Sequence, residues 1–509
     1  MEPQTPLWIA TAPGTSYPPL ESSRTADVVV LGAGIAGLTT ALLLRRRGAD
    51  VVLLEADRIG LGATARSTVK VSASHGLRCG EIASRHGEDA AAAYAGANLA
   101  AIETVAGLVA TYHIDCSLQR RSHLVCAETQ EGRDRVGREV DVEQRIGLPV
   151  SFSEDCDLPF PVTGCLVMRD QAQFHPRRYL LGLAEAFVAL GGSIFEGSRA
   201  SDIDDADPCT LRVNDAEVVA RDVVIATGAP VSDRGLLMAR MTPLQEYAIA
   251  AELQTGEGPD AMYLSESDGA WSLRTTDIEG HRYLIVVGAK HEVGTPPDGD
   301  PYEALSGWAH DRFAIGPVTH RWSTHDLWPA DALPYVGRVG GEDAHVWVAT
   351  GFGGWGMTNG TVAASVLDAL IAGEDGGDAA RLLDPGRGDM SAAPVTFVRQ
   401  NVAVAGRWIG DRITARPGDA TAVGQGEAKV LRDGGDLVAV YRDQRNEIHA
   451  VSAVCTHMGC IVRWNGADRT WDCPCHGSRF DIDGTVVRSP ANEPLRKIER
   501  EPAAAPEGS

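Results

Sequence analysis

The sequence predicts two architectures in one chain: a large α/β part begun by a doubly wound parallel sheet, and a small all-β part after it. Three observations carry this reading. A strand–glycine turn–helix–strand unit opens the chain at 27–54. Helical and strand-like segments follow to about residue 372, and from about residue 420 only short strands and turns remain. With 509 residues, 44% apolar and 23% charged, the chain can bury a large core without disulfides.

Residues 27–31 (DVVVL) form a Val-rich run, the mark of a strand buried on both faces. A glycine turn follows, and Leu38 to Arg47 reads as a helix with Leu38, Leu42 and Leu43 on one face. Residues 50–54 (DVVLL) add a second buried strand and complete a βαβ unit of about 30 residues. Residues 88–110 are Ala-rich and helical; 177–190 are amphipathic and follow His175, placed to cap a helix start. LRV (211–213), EVVARDVVIAT (217–227), YAIAAEL (247–253) and RYLIVVGA (282–289) read as strands. HVWVAT (345–350) reads as another, running through a Gly-rich loop into a helix at 359–372. Residues 373–394 are rich in Gly, Pro and Asp and read as a linker without helix or strand; 395–413 read as a connecting amphipathic helix. Beyond them, DGGD (433–436), DQRN (443–446) and NGAD (465–468) mark turns between short strands.

Charge narrows the function. The chain carries 46 Lys and Arg against 69 Asp and Glu, a net −23, which speaks against nucleic acid and against an anionic membrane surface. From residue 401 onward 14 basic residues nearly balance 15 acidic ones, so the acidity belongs to the first 400 and the C-terminal part is a separate module. Met1 to Leu20 is polar and Pro-rich, and no window of about 18 uninterrupted apolar residues occurs, so neither a leader nor a membrane span is expected and the expected location is cytoplasmic. Of ten cysteines, six are scattered singly and four (Cys455, Cys460, Cys473, Cys475) fall within 21 residues. In a reducing compartment such a cluster points to a metal or redox site.

CTHMGC (455–460) and CPCHGS (473–478) offer Cys455 and His457 from one loop, Cys473 and His476 from the other. Two thiolates and two imidazoles suit a tetrahedral Zn²⁺, or a [2Fe–2S] cluster with the cysteines on one iron and the histidines on the other. Gly459, Pro474 and Gly477 would let both loops wrap closely, and the spare Cys460 and Cys475 are placed to bridge them. These residues, with the later Pro490, resemble the Rieske [2Fe–2S] domain over roughly 420–500. The resemblance implies a Cys460–Cys475 disulfide and a hydrogen bond from Ser478 to a cluster sulfur. Phe480 stands where high-potential members carry Tyr, which implies one potential-raising hydrogen bond fewer.

GAGIAG (32–37) follows a strand and opens a helix, so its glycines allow a tight turn and bring backbone N–H groups to a pyrophosphate. Glu55, 23 residues after Gly32, ends the second strand where it can accept from ribose hydroxyls. By itself this motif suits NAD as well as FAD. VVIATGAP (223–230) and DALPYVGRVG…HVWVATGFGGWGMTNG (331–360) resemble the segments that return to the dinucleotide and the flavin ring in the D-amino-acid oxidase and sarcosine oxidase superfamily. ATARSTVKVSASHG (63–76), ahead of a Rieske module, resembles the bacterial FAD-dependent oxidoreductases fused to a Rieske domain.

The resemblance implies a Rossmann-like FAD-binding domain with an interleaved β-sheet substrate domain, then a small all-β Rieske domain. The oxidoreductase region is 1–375, with FAD-binding parts about 25–80, 200–235 and 330–375 and substrate parts about 80–200 and 235–330; a linker with its connecting helix is 376–419 and the Rieske domain 420–502. Gly32, Gly34, Ile35, Ala36, Gly37, Glu55 and Ala56 would hold the ADP half, with Gly228 on the returning strand. Arg66, Ser67 and Thr68 would lie along the pyrophosphate and flavin, and Gly353, Gly354, Trp355 and Met357 at the ring's polar edge. Lys70, His75 and His325 are the candidate catalytic residues; Trp322, Trp328 and Tyr247 are candidates for pocket walls or for core.

A flavin takes electrons in pairs and a Rieske cluster one at a time, at potentials of roughly −150 to +300 mV. The fusion is therefore expected to oxidise a C–N bond of an amine, amino acid or N-methyl compound. Electrons would leave singly through the cluster to a cytochrome, quinone or ferredoxin. Two alternatives stand beside it: a reductase feeds the cluster and the flavin reduces or oxygenates a specialised metabolite, or the protein is a non-enzymatic redox carrier or sensor. A Rieske non-haem iron oxygenase is not expected, because only 33 residues follow His476.

Overall fold

The computed structural model describes residues 5–232, 235–267, 269–295, 297, 299–341, 343–387, 418, 422–433 and 435–498. The chain divides into two compact units: residues 1–291 with 297–397, and 398–509 with the short segment 292–296.

The first unit holds two sheets. The opening βαβ unit places Arg24–Leu31 beside Val51–Leu54 in parallel, with Val28 opposite Val51 and Leu31 opposite Leu54. On its other side Arg24–Leu31 pairs in parallel with Ala216–Gly228, a strand far away in sequence. The sheet runs Tyr335–Arg338, Val346–Thr350, Ala216–Gly228, Arg24–Leu31, Val51–Leu54, Ser193–Phe195, and Ala200–Asp204 and Cys209–Val213 extend it off this path. Alternation then sorts the apolar residues onto two faces. Val28, Val30, Val51, Leu53 and Val224 pack with the helices Ile35–Arg46, Pro176–Ala189 and Gly356–Ile371. Val29, Leu31, Val52, Leu54, Ile225 and Val348 pack against Leu211, Met238 and Leu327 on the opposite face. Both faces are buried, which is why these strands read as unbroken apolar runs.

The second sheet has nine strands, in the order Ile315–Pro329, Met241–Leu253, His281–Glu292, Ser272–Ile278, Met262–Ser265, Gln119–Ala127, Gly164–Gln173, Lys70–Val71, with Val150–Ser153 beside Gly164–Gln173. The 25-residue helix Glu88–Tyr112 is long and apolar enough to cross a membrane, yet its Tyr94, Ala95, Ile102, Val105 and Leu108 are part of this unit's core. His175 caps Pro176–Ala189 by accepting from Arg178 N–H at 3.3 Å.

The all-β unit has a three-stranded sheet (Ala428–Asp433, Asp436–Arg442, Ile448–Ser452) and a four-stranded one (Arg463–Asn465, Thr470–Asp472, Arg479–Phe480, Val486–Arg488). Ala439, Val451, Val462, Trp471 and Phe480 form its core.

Several elements differ from the sequence reading. The first helix starts at Ile35 rather than Leu38, and the late helix at Gly356 rather than 359, because each begins inside its glycine loop. The stretch expected to be free of structure contains a helix, Gly377–Leu383, since Ala380 and Leu383 bury against the core despite the surrounding Gly and Asp. Two cysteines read as single, Cys126 and Cys165, lie opposite each other on paired strands and form a disulfide. The connecting helix expected at 395–413 lies outside the described residues.

Candidate functional site

The glycine turn after the first strand is dictated by space. Gly32 has φ +99°, and a Cβ there would fall 2.7 Å from the Ala226 carbonyl oxygen. A Cβ on Gly37 would sit 1.9 Å from Gly32 O. Only glycine lets strand, turn and helix come this close. Gly34 is the N-cap and brings no side chain to the amides of Ile35, Ala36 and Gly37, so the helix presents backbone N–H groups and the positive end of its dipole. Ile35 N–H donates to Thr64 Oγ1 at 3.2 Å, which brings a hydroxyl to the same place. At the end of the second strand Glu55 accepts Ala33 N–H at 2.8 Å and Asp57 N–H at 3.0 Å, one on each carboxylate oxygen, and Ala56 completes that turn. Each oxygen keeps a second lone pair for a hydroxyl. Gly228, at φ +79°, ends the returning strand and accepts from Thr350 Oγ1 at 2.5 Å. A dinucleotide fits this donor set, glycine spacing and carboxylate.

Residues 66–69 are held in place from several sides. Trp322 Nε1 donates to Arg66 O at 2.8 Å and Trp8 Nε1 to Ser67 O at 2.9 Å. Arg274 Nε donates to Thr68 O and Nη2 to Phe174 O, with its guanidinium 4.9 Å from the Trp8 ring centre. Val69, a fully buried β-branched residue, adopts φ +62°, and Ser67 Oγ accepts its N–H at 3.0 Å. Such a conformation costs about 1–3 kcal/mol and persists only where the surroundings over-determine it. Two indoles and a buried guanidinium supply that determination here. Burial pushes Arg274 down to about 9.

A cavity of about 230 Å³ adjoins this loop, and its lining has two banks. The loop bank comprises Ser67, Thr68, Arg78, Gly354 and Trp355 among others. The sheet bank comes from the nine-stranded sheet and its turns: Lys70, Glu246, Leu264, Ser265, Glu266, Ser272, Val287 and Trp328. Within the sheet bank Lys70 Nζ hydrogen-bonds Ser272 Oγ. Burial first, and the Arg274 charge second, lower Lys70 to about 7, against an opposing pull from Glu246. His75 also lines the cavity, but both of its ring nitrogens are engaged. Nε2–H donates to Ser72 O at 2.6 Å, Nδ1 accepts from Tyr94 Oη at 2.7 Å, and the ring stacks on Trp355 at 4.3 Å. Burial holds His75 well below the usual imidazole range, so it is neutral. Gly353 and Gly354 take φ +57° and +83°, and Gly354 N–H donates to Asp326 Oδ2 at 2.9 Å. Met357, buried, lies in the first turn of the following helix, Gly356–Ile371.

The structure does not gather every candidate. His325 is buried opposite Gln245 in the Ile315–Pro329 strand and is not among the cavity-lining residues. Trp328 lines the cavity; Tyr247 packs on His291 and Tyr302 instead. Sequence reading missed Trp8, Arg274, Glu246, Glu266 and Ser272, none of which belongs to a spaced motif, and gave Thr64, inside ATARSTVKVSASHG, no role of its own.

In the all-β unit, two loops close alike: Gly459 N–H donates to Cys455 O at 2.9 Å, and Gly477 N–H to Cys473 O at 3.0 Å. Both glycines sit in the left-handed region, at φ +74° and +80°. The loops bring the Cys455 and Cys473 sulfurs into contact and set the His457 and His476 rings edge to face at 5.0 Å. His476 Nδ1 is buried without a partner among the described residues. Two buried thiols and two converging imidazoles fit a [2Fe–2S] cluster. Cys460 and Cys475 form a disulfide between the loops. Ser478 Oγ accepts Ala491 N–H at 3.0 Å and contacts the Cys455 sulfur, which ties the loop carrying Pro490 to this site.

Together the two sites define a redox protein with a flavin-nucleotide cradle in one unit and an iron–sulfur centre in the other. The chain belongs to the FAD dependent oxidoreductase family, whose model matches residues 27–370, and a Rieske [2Fe–2S] domain matches residues 417–499. Its cofactors are FAD and a [2Fe–2S] cluster. It is 32% identical over 495 residues to the putative Rieske 2Fe-2S iron-sulfur protein YhfW of Bacillus subtilis, covering 97% of each chain. To the gamma-glutamylputrescine oxidoreductase of Escherichia coli it is 24% identical over 387 residues, 70% of this chain and 85% of that protein. The fold of glycine oxidase from Geobacillus kaustophilus superposes with a TM-score of 0.59 at 18% identity, covering 72% of this chain and 99% of that one.

Proposed function

We propose that the protein oxidises a carbon–nitrogen bond of an amine, amino acid or N-methyl compound and passes the electrons singly through its cluster to an external acceptor. The observation that carries this reading is Lys70, a buried amine poised near neutrality in a cavity beside the flavin loop. Bound FAD supplies a two-electron hydride acceptor and the cluster a one-electron carrier. The glycine turn, the Ile35–Arg46 helix and Glu55 hold the nucleotide. The 66–69 loop and Gly353 to Met357 flank the ring, and Cys455, His457, Cys473 and His476 bind the irons. Oxidation at carbon needs the neighbouring nitrogen's lone pair, so an ammonium substrate must first give up a proton. Lys70 takes that proton in its free-base form, held by the Ser272 hydroxyl. The gamma-glutamylputrescine oxidoreductase relative and the glycine oxidase fold support an amine or amino-acid substrate.

Anaerobic mixing with amines, amino acids and N-methyl compounds, followed by flavin absorbance and by the EPR signal of the reduced cluster, tests this. Flavin bleaching followed by the cluster signal is expected. Bleaching without cluster reduction removes the electron path, and silence until a reductase is added reverses its direction.

A further inference from the structure

The sheet bank of the cavity has an unusual charge pattern. Among its described lining residues it contributes two carboxylates, Glu246 and Glu266, and one amine, Lys70, whose Nζ is bonded to Ser272 Oγ. A third carboxylate, Glu81, lies at the exposed rim and pairs with Arg85. On the loop bank Arg78 is committed to Ala332 O at 2.9 Å and lies over the Trp328 ring at 4.8 Å.

Glu266 is the informative member. Its side chain is 3% exposed. Oε1 accepts from Arg135 Nη2 at 3.0 Å, while Oε2 is buried and has no hydrogen-bond partner among the described residues. The carboxylate is also rigidly seated. Glu266 N–H donates to Cys126 O at 2.9 Å, and a Cβ on Gly132 would fall 1.9 Å from Oε1, so only glycine at that helix position admits it. An ionised carboxylate is acceptor-only, and a buried acceptor left unmet is unfavourable until a donor arrives.

We propose that Glu266 is a specificity-determining residue which binds a second, cationic nitrogen of the substrate. The substrate is then a diamine or aminoalkyl amine rather than an amino acid. This rests on the amine-oxidation reading above and extends it. A substrate carboxylate would meet Glu246 and Glu266 beside Lys70, which is uncharged in the free-base form the reaction uses, whereas an ammonium meets an oriented, partly desolvated acceptor. Arg135, 37% exposed and shared with Glu131, orients Glu266 from the solvent side and leaves Oε2 to the ligand.

The test uses the anaerobic holoenzyme and α,ω-diamines, n-alkylamines and ω-amino acids of matched chain length, with flavin reduction as the readout. Diamines are expected to show a KM about 10- to 100-fold below that of the matched monoamines, the range a charged hydrogen bond gives. Glu266→Gln should remove most of that difference, acting on KM far more than on kcat. A difference that persists in Glu266→Gln, or a preference for amino acids over diamines, overturns the proposal while leaving amine oxidation in place. If no compound reduces the flavin, the amine-oxidation reading fails. Titration with a diamine, followed by the flavin difference spectrum, then decides the inference alone: saturable binding that weakens in Glu266→Gln supports it, and absence of binding overturns it. Should Glu266→Gln fail to fold, the ranking of diamines against amino acids in the unaltered protein decides in the same two directions.

Discussion

The two units build their sites in opposite ways. The iron–sulfur site is assembled from one short stretch, Cys455 to Ala491, whose two loops repeat the same glycine-closed turn and share a disulfide. The proposed flavin site draws on residues from Trp8 to Met357, and its loop is fixed by donors that come from the short helix Leu7–Ala10 and from two distant strands. A site closed by local geometry can be moved between proteins as a cassette. A distributed one depends on the whole fold around it, so perturbations should stay local in the first case and spread in the second.

The largest test of this contrast is Cys473→Ser. It removes a cluster ligand, and iron is expected to fall to background while flavin content stays at wild-type level by absorbance and metal analysis. Loss of flavin as well would break the contrast. Next comes Gly32→Ala, which forces a Cβ to 2.7 Å from Ala226 O at φ +99°. It should cost at least 1–3 kcal/mol (roughly) and abolish tight FAD binding, while the cluster's EPR signal persists.

Lys70→Met sharpens the comparison on the flavin side. The folded protein holds Lys70 at about 7, below the usual 10.5, so unfolding takes up a proton between those values and stability rises with pH across that window. The Met variant lacks this dependence. It should unfold at a higher temperature than wild type below pH 7, with the gap closing as pH approaches 10 (roughly), and its activity should lose the rising limb near neutrality. The smallest effect is expected from Trp8→Phe. Losing one indole donor to Ser67 O should destabilise by about 1 kcal/mol and shift the flavin spectrum rather than abolish it.

The same contrast explains what could be read in the sequence. The cluster ligands and the GAGIAG turn are legible because their chemistry demands fixed residue types at fixed spacing, enforced here by positive φ and by Cβ clashes. Glu266, Ser272 and Arg274 carry no such spacing. Their roles arise from sheet pairings that place Leu264 opposite Ser272 and beside Val125, residues far apart along the chain. Lys70 was legible through its neighbours in ATARSTVK, but its depressed basicity comes from burial and from Arg274, which no local pattern records. The helix Gly377–Leu383 escaped notice for a similar reason: tertiary burial of Ala380 and Leu383 outweighs the local glycine and aspartate content.

The arrangement of indoles around the flavin loop has an optical consequence. Trp8 and Trp322 bond its carbonyls, and Trp328 and Trp355 line the adjoining cavity, so four of the chain's ten tryptophans gather at one loop. Indole emission overlaps flavin absorption, so energy transfer from these four should dim the protein's intrinsic fluorescence as the cradle fills. The molecule thus carries its own gauge of flavin loading, readable without turnover, substrate or label.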